Sequence, residues 1–533
     1  MKKYSFLYLL MLLSIIGCAD LEEEQLSVVD EEFIFADSTV EDVDGFVETA
    51  LSHMHHRNFL SREMAQALMF RSDMMAIGRT GVQERIDHDN FTVLSDNGLI
   101  RVYWPKVYEI ISASNTAIKL SGSVAASTSL NQSVAKARFI RAFAYFHLVR
   151  QFGAIPYIDE NTTAIEIANN TRMPVEDVYA NIIADLEYAK EWLPNTQATR
   201  AIPAKSAASS YLALVYLTME EWQKAYDEAK EVIDNEGTYN LGLEPDFQNL
   251  YHGTNIDASL EPIFVLDFTG VSNGDQGRDY QAAFTSGRGD DQHGIGGGWS
   301  VQVPALEVYT EWDSADYRRA VTFDDTMYDI TTDDSGVVTS SEVFDYTIFT
   351  SLDDRSVNRP HVRKYSYMAG TGVTAPQDNN GRGSHSNYCM MRYAEVLMIG
   401  AEAANEIGNT SDAESWLNRV LARARSGGVT NGFTASASPA DVSGLSQADF
   451  TDRILEERRL EFAYEFKRWY DIARRKLGDS AFSSVTGLER VVSTEVGVGP
   501  GVKSFDPAKD YLLPIPQGEI DLNPNLLPNN PGY

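Results

Sequence analysis

Ser206-Ala-Ala-Ser-Ser-Tyr-Leu-Ala-Leu-Val-Tyr-Leu-Thr-Met-Glu-Glu-Trp-Gln-Lys-Ala-Tyr-Asp-Glu-Ala-Lys-Glu-Val-Ile233 is the stretch whose reading decides the fold. Leu212, Ala213, Tyr216, Ala225, Ala229 and Val232 set small against large side chains at helical spacing, and Glu220-Glu221 marks a turn between two helices. One such pair leaves an apolar face open to water. The pattern therefore requires further helix pairs stacked beside it.

The same small/large spacing, which fits a tetratricopeptide helix pair, returns at Leu397, Ala401, Ala404, Ala413, Leu417 and Val420, interrupted by Gly408-Asn409. A less regular pair runs from Ala135 to Phe152 and from Val175 to Trp192, joined by a loop containing Pro156. Helical period dominates from Phe46 to Ile233 and again from Tyr393 to Leu477. Between Leu243 and Tyr388 it fades, Gly, Asp, Ser and Thr cluster, and short β-like runs such as Ile263-Phe264-Val265-Leu266 appear. Nine of the 37 glycines fall between Gly270 and Gly298, a concentration of loop backbone that can approach a ligand.

The expectation is a mostly α protein, a tetratricopeptide-like helix-pair scaffold with an irregular loop-rich ligand-binding subdomain containing short β segments. Residues 46–242 form the scaffold, 243–388 the irregular subdomain, 389–480 the returning scaffold, and 481–533 a C-terminal segment packed on the same body.

The chain has 533 residues, 43% hydrophobic and 23% charged, with two cysteines, which excludes a disordered or disulfide-stapled protein. Its charge is 44 − 77 = −33, so its surface repels phosphate backbones, and nucleic acid is not an expected partner. Residues 1–17 carry Lys2-Lys3 and then an apolar run from Phe6 to Ile16, the n-region and h-region of a secretory signal. That run is too short to span a bilayer, which takes ~20 apolar residues. Ile15-Ile16-Gly17-Cys18 resembles a bacterial lipobox, with Ile16 where a smaller residue is commoner. Cys18 is the expected lipidation site and 18–45 the lipidated tether. The acidic run Asp20-Leu-Glu-Glu-Glu24 looks like a surface-export tag of Bacteroidetes lipoproteins. Cys389 is then a lone thiol, read as a small packed residue.

Four stretches together resemble the SusD/RagB family of outer-membrane nutrient-binding lipoproteins. They are Ile454-Leu-Glu-Glu-Arg-Arg-Leu-Glu-Phe-Ala-Tyr-Glu-Phe-Lys-Arg-Trp-Tyr-Asp-Ile-Ala-Arg474, the C-terminal Tyr511-Leu-Leu-Pro-Ile-Pro-Gln-Gly-Glu-Ile-Asp-Leu-Asn-Pro-Asn525, Arg138 to Pro156, and Arg392 to Met398 with Ala401 to Asn405. The resemblance implies a cell-surface lipoprotein of the outer membrane that binds an oligosaccharide and delivers it to a SusC-like TonB-dependent transporter. It implies no enzymatic activity and no cofactor. Alternatives are peptide or glycopeptide binding in the same role, a surface glycan hydrolase or lyase, or a protein-binding helical-repeat adaptor.

Sugars present C–H faces and hydroxyls, so a site needs aromatic planes flanked by groups that hydrogen-bond with fixed direction. The glycine-rich insertion offers Tyr280, Phe284, Arg288, Asp290, Asp291, His293 and Trp299; an early segment offers Phe70, Arg71, Asp73, Arg79, Asp87, His88 and Asn90. The resemblance carries the binding face over to these two regions as regions. Trp104, in Tyr103-Trp-Pro-Lys-Val-Tyr108, is read as core.

Other clusters read as structural. Leu455, Phe462, Phe466, Trp469, Ala473 and Leu477 are expected to form the apolar stripe of one helix, with Glu465, Arg468 and Asp471 linked on it as an ion network. His53, His55 and His56 lack the spacing that converges on a metal and are expected on a solvated helix face. Asp324, Asp325, Asp329, Asp333 and Asp334 fit no calcium loop and are expected in solvated loops, so no metal is expected. The sequence contains no G-x-S-x-G, P-loop or dinucleotide fingerprint.

Overall fold

A computed structural model of the chain describes residues 37–78, 82–252, 258–268, 279–288, 290, 298–334, 338–351, 356–365, 387–430, 433–434, 436–482 and 504–533. The expected signal peptide, Cys18 and most of the expected tether lie outside these residues.

The first described helix, α1 (Val40–Met54), begins inside the stretch expected to be tether. Thr39 and Asp42 explain the early start, because the Asp42 N–H donates to the Thr39 hydroxyl while the Asp42 carboxylate accepts from the Thr39 N–H at 2.9 Å. After it come α2 (Glu63–Phe70), β1 (Met75–Ile77), α3 (Gln83–Asn90), α4 (Gly98–Ser121) and α5 (Thr128–Phe152), the last two capped by Asn97 and Ser127. They lead to α6 (Ala164–Asn169), α7 (Val175–Trp192), α8 (Lys205–Thr218), α9 (Trp222–Asp234) and α10 (Asn249–His252).

The middle of the chain builds short antiparallel pairs. In order come β2 (Pro262–Leu266), α11 (Gln281–Thr285), β3 (Gln302–Pro304), α12 (Leu306–Glu311) and α13 (Tyr317–Thr322). Then follow β4 (Phe323–Asp324), β5 (Thr326–Thr332), β6 (Val338–Asp345), β7 (His361–Val362) and β8 (Tyr388–Arg392). The pairings are β1 with β3, β2 with β8, β4 with β7 and β5 with β6. Strand β8 runs straight into α14 (Tyr393–Glu406), so the β2–β8 pair is bonded directly to the helical frame. The remaining elements are α15 (Thr410–Ala424), the small pair β9 (Val429–Thr430) and β10 (Phe433–Thr434), α16 (Gln447–Glu461), α17 (Arg468–Arg474), α18 (Gly478–Phe482) and α19 (Gln517–Leu522).

Helix α4 packs on α1 and α5, α5 on α7, α7 on α8, α8 on α9, α9 on α14, and α14 on α15. Helix α8 is buried on every side from Ser206 to Leu217, whereas α9 buries only Ala225, Ala229, Val232 and Ile233. A helix inside a stack is apolar all round, and one on its flank is amphipathic. Gly400 sets the closeness of α14 and α15, since a Cβ there would come within 2.8 Å of the Trp416 ring and 3.3 Å of Ala229. The turns fall where the sequence places them. Glu220 takes φ +61° between α8 and α9, and Gly408 takes φ +80° between α14 and α15.

Four expectations change. The single helix expected from Leu455 to Leu477 is two, α16 and α17, separated by a turn in which Tyr464 (φ 65°) and Phe466 (φ 63°) are left-handed. Each such residue costs of order 1–3 kcal/mol, and the buried ion pairs that the turn permits offset it. Glu465 does not pair with Arg468 or Asp471. It takes Arg392 at 2.9 Å and Lys364 at 2.8 Å, Arg468 reaches Asp73 at 2.6 Å, and Asp471 is held by Arg458 and Arg474.

The histidines at the end of α1 are not simply solvated. His55 Nδ1 hydrogen-bonds the Leu51 carbonyl at 2.8 Å, and its Nε2 accepts the Asp267 N–H at 3.2 Å. Asp324 is buried on β4 rather than in a solvated loop, and Asp325 accepts the Tyr309 hydroxyl at 2.7 Å.

Candidate functional site

The early segment and the glycine-rich insertion meet. Strand β1 pairs with β3, Met75 opposite Pro304 and Ile77 opposite Gln302, and the Gly78 N–H continues the ladder to the Val301 carbonyl at 2.8 Å. Two cation–π contacts reinforce the junction: the Arg62 guanidinium lies 5.2 Å from the Tyr280 ring centre and that of Arg85 4.9 Å from Phe284. Trp299 stands edge-on to Phe284 at 5.0 Å, and its backbone N–H donates to the Ala283 carbonyl at 2.6 Å. Gly298 makes this possible. A Cβ there would sit 2.2 Å from the Ser286 carbonyl oxygen, so no other residue fits beside Trp299 without moving the chain.

The junction separates the candidate residues into three groups. Trp299, Arg288 and Asn90 are half-buried and remain at the surface of the face, whereas the Asp73 carboxylate is held through both oxygens by Arg468. Phe70, Arg71, Phe284 and Asp290 are 0–3% exposed, so their expected contact with a ligand does not hold in this structure. Each has a packing role instead. Arg71 lies 4.3 Å from the Trp469 ring centre and donates to the Asp510 carbonyl, Phe284 is roofed by Arg85, and Asp290 accepts the Tyr328 N–H at 2.9 Å. Phe70 is core, and Tyr280, 8% exposed under Arg62, is nearly so. His88 is buried too, and burial followed by the Arg71 charge pushes it down to about 3. Arg79, Asp291 and His293 lie outside the described residues.

A second concavity, a cleft of about 730 Å³, is lined by none of these residues. It opens between α4, the loop that precedes α6, α6 itself and α19. Trp104, read as core, is 2% exposed and packs edge-on against Phe152 at 4.7 Å, yet its margin reaches this cleft. Sequence reasoning missed the cleft because its walls come from three distant stretches with no shared motif.

The strongest electrostatic cluster lies in neither place. Glu461 meets Arg392, Arg423 and Arg318, and Arg392 also takes Glu261 and Glu465. All of these side chains are almost wholly buried, out of reach of any substrate. Burial alone would raise the Glu461 carboxyl, but Arg423, Arg392 and Arg318 outweigh it and hold it down at about 2. This is a structural ion network and not an acid/base pair.

Residues 260–533 match the model of the SusD family, and residues 23–217 match a family described as starch-binding and associating with the outer membrane. SusD-like protein P2 of Formosa agariphila is 44% identical over all of this chain and all of its own length. The chain belongs to the SusD family. A more distant SusD-like protein, P25 of the same organism, is 26% identical over 81% of this chain and 79% of its own.

Solved SusD structures share the fold. A SusD homologue from Bacteroides thetaiotaomicron superposes with a TM-score of 0.77 at 20% identity, covering 93% of this chain and 97% of that one. Surface glycan-binding protein A of the same organism, solved with laminarihexaose, gives 0.72 at 18% identity over 92% and 100%. In this SusD protein no described helix is long and apolar enough to cross a membrane. Among the described residues no group of three His, Cys, Asp or Glu is placed to hold a metal ion. Cys389 sits on β8 opposite Val265, and burial pushes its thiol up to about 12, as suits an inert packed sulfhydryl.

Proposed function

We propose that this protein is a cell-surface lipoprotein, held at the outer membrane through Cys18, that binds an oligosaccharide and delivers it to a SusC-like TonB-dependent transporter. It is a binding protein and not an enzyme. The observation that carries the reading is the meeting of β1 and β3, which brings two segments far apart in sequence into one face with Trp299 half-open at its surface. Relatives in fold support it, one a laminarin-binding SusD-like protein and another solved with a laminarin hexasaccharide.

On this face the Trp299 indole supplies the plane for a sugar ring, and Arg288, whose backbone N–H bonds the Ser300 hydroxyl next to Trp299, supplies a charged hydrogen-bonding group beside it. With Arg71 buried under Trp469, fewer arginines face outward than the sequence suggests, and the net charge of −33 acts against polyanionic ligands. The ligand is therefore a neutral oligosaccharide. Calorimetry against neutral and acidic oligosaccharides at low and high salt tests this. Salt-insensitive binding of a neutral glycan supports it, and binding of acidic glycans alone, lost at high salt, refutes it.

A further inference from the structure

The cleft between α4, α6 and α19 has a chemistry opposite to that of a sugar site. Four of its polar donors are already committed within the protein. The Tyr108 hydroxyl donates to the Pro156 carbonyl at 2.7 Å, and the side-chain amides of Asn115, Asn170 and Asn523 donate to the carbonyls of Ile158, Tyr157 and Asn170 at 2.7–3.0 Å. The carboxylates are unequal. Glu160 is taken by Arg141, and Glu109 by Lys106 with His53 at 3.6 Å, but the Glu519 carboxylate has no hydrogen-bond or ion-pair partner among the described residues. Burial pushes its carboxyl up from the ordinary glutamate value.

Apolar side chains are left open beside it. Ile167 is 44% exposed and Leu522 83%, both at the mouth of the cleft. A cleft of about 730 Å³ lies within the range of sites that enclose a compact ligand. Four carboxylates line it against one lysine, Lys119, itself engaged within the protein. A sugar hydroxyl needs donors as well as acceptors, and the Tyr108 and asparagine donors here already serve the protein. A cationic group only donates. Set between apolar side chains, it would satisfy Glu519 while covering Ile167 and Leu522.

We infer that this cleft docks a segment of a partner protein that carries a lysine or arginine between apolar side chains, the cation at Glu519 and the apolar residues over Ile167 and Leu522. The site is separate from the face at Trp299 and does not depend on the identity of the glycan.

The probes are two peptides, Ac-Leu-Lys-Leu-Leu-Lys-Leu-amide and its counterpart with glutamate in place of lysine, titrated calorimetrically into the full chain. The lysine peptide should bind saturably at one site and the glutamate peptide should not. Glu519→Gln should weaken binding about tenfold, Leu522→Ser several-fold, and Trp299→Ala not at all. Leu522 is so exposed that its replacement leaves the fold intact, which keeps the test sound even if Glu519→Gln were to perturb folding. The inference is overturned if the lysine peptide does not bind, if both peptides bind alike, if Leu522→Ser binds as the parent does, or if a neutral oligosaccharide displaces the peptide.

Discussion

Arg392 and Glu461 meet at 2.6 Å, with their side chains 1% and 0% exposed. Arg392 ends β8 and Glu461 ends α16, so this pair ties the short-stranded half of the molecule to the returning helices. Arg423 from α15 reaches the same carboxylate. Removing one member of such a group strands the other charges away from water. Glu461→Gln should therefore destabilise the fold by about 3–5 kcal/mol, measured by urea denaturation. A loss under about 1 kcal/mol, the range of exposed pairs, would mean that the network contributes little.

The same carboxylate sets a pH dependence. Its value of about 2 lies below the ordinary 4.5, so the unfolded chain binds its proton more tightly than the native protein does. The stability it contributes is complete above about pH 4.5 and drains away as pH falls towards 2. Glu465 and Asp471 are depressed as well, burial being outweighed by Arg392 and Lys364 at the first and by Arg458 and Arg474 at the second, and act in the same direction. The urea midpoint should hold steady from neutral pH to about pH 5 and fall steeply below it, with a shallower fall in Glu461→Gln. A midpoint that does not move in acid would contradict this.

The helix pairs were legible because α8 with α9 and α14 with α15 repeat one small/large spacing, and Gly400 against Trp416 shows what the small residues accomplish. The break at Phe462–Lys467 was not, because the apolar period runs on through the turn: Phe462, Phe466 and Trp469 are all buried, but from two helices and a left-handed link. The two candidate regions do meet at the β1–β3 junction, but the placing of their individual side chains was not legible. Whether Phe284 faces a ligand or lies under Arg85 depends on a segment far away in sequence, and no local pattern encodes it.

Trp469 tests the packed side of α17. It is 1% exposed, with Arg71 at 4.3 Å and Phe91 at 5.9 Å from its ring. Trp469→Ala should cost about 3–5 kcal/mol, and more than a simple cavity because buried Arg71 loses the ring that shields its charge. Affinity for oligosaccharide in the folded fraction should not change. Normal thermal stability with lost binding would reassign this residue to the ligand site.

Attachment is checked by fractionation. Cys18→Ala should move the protein from the membrane fraction to the soluble one, since no described helix can span a bilayer and the acidic run after Cys18 repels anionic headgroups. Retention of this variant at the membrane in cells without the transporter would refute lipidation at Cys18.

Trp299 decides the ligand site. Its ring is half-buried, braced edge-on by Phe284 and fixed in place by a backbone turn that only Gly298 permits, so it is held ready to stack and does not have to be ordered on binding. Trp299→Ala removes the plane and should weaken neutral-glycan binding by about 1–3 kcal/mol, while the melting temperature falls far less than for Trp469→Ala because part of the ring already faces water. Trp299→Phe, which keeps a smaller plane, should restore part of the affinity. Calorimetry on the three proteins at matched stability distinguishes a stacking platform from a packing residue: wild-type affinity in Trp299→Ala would move the site away from the β1–β3 junction.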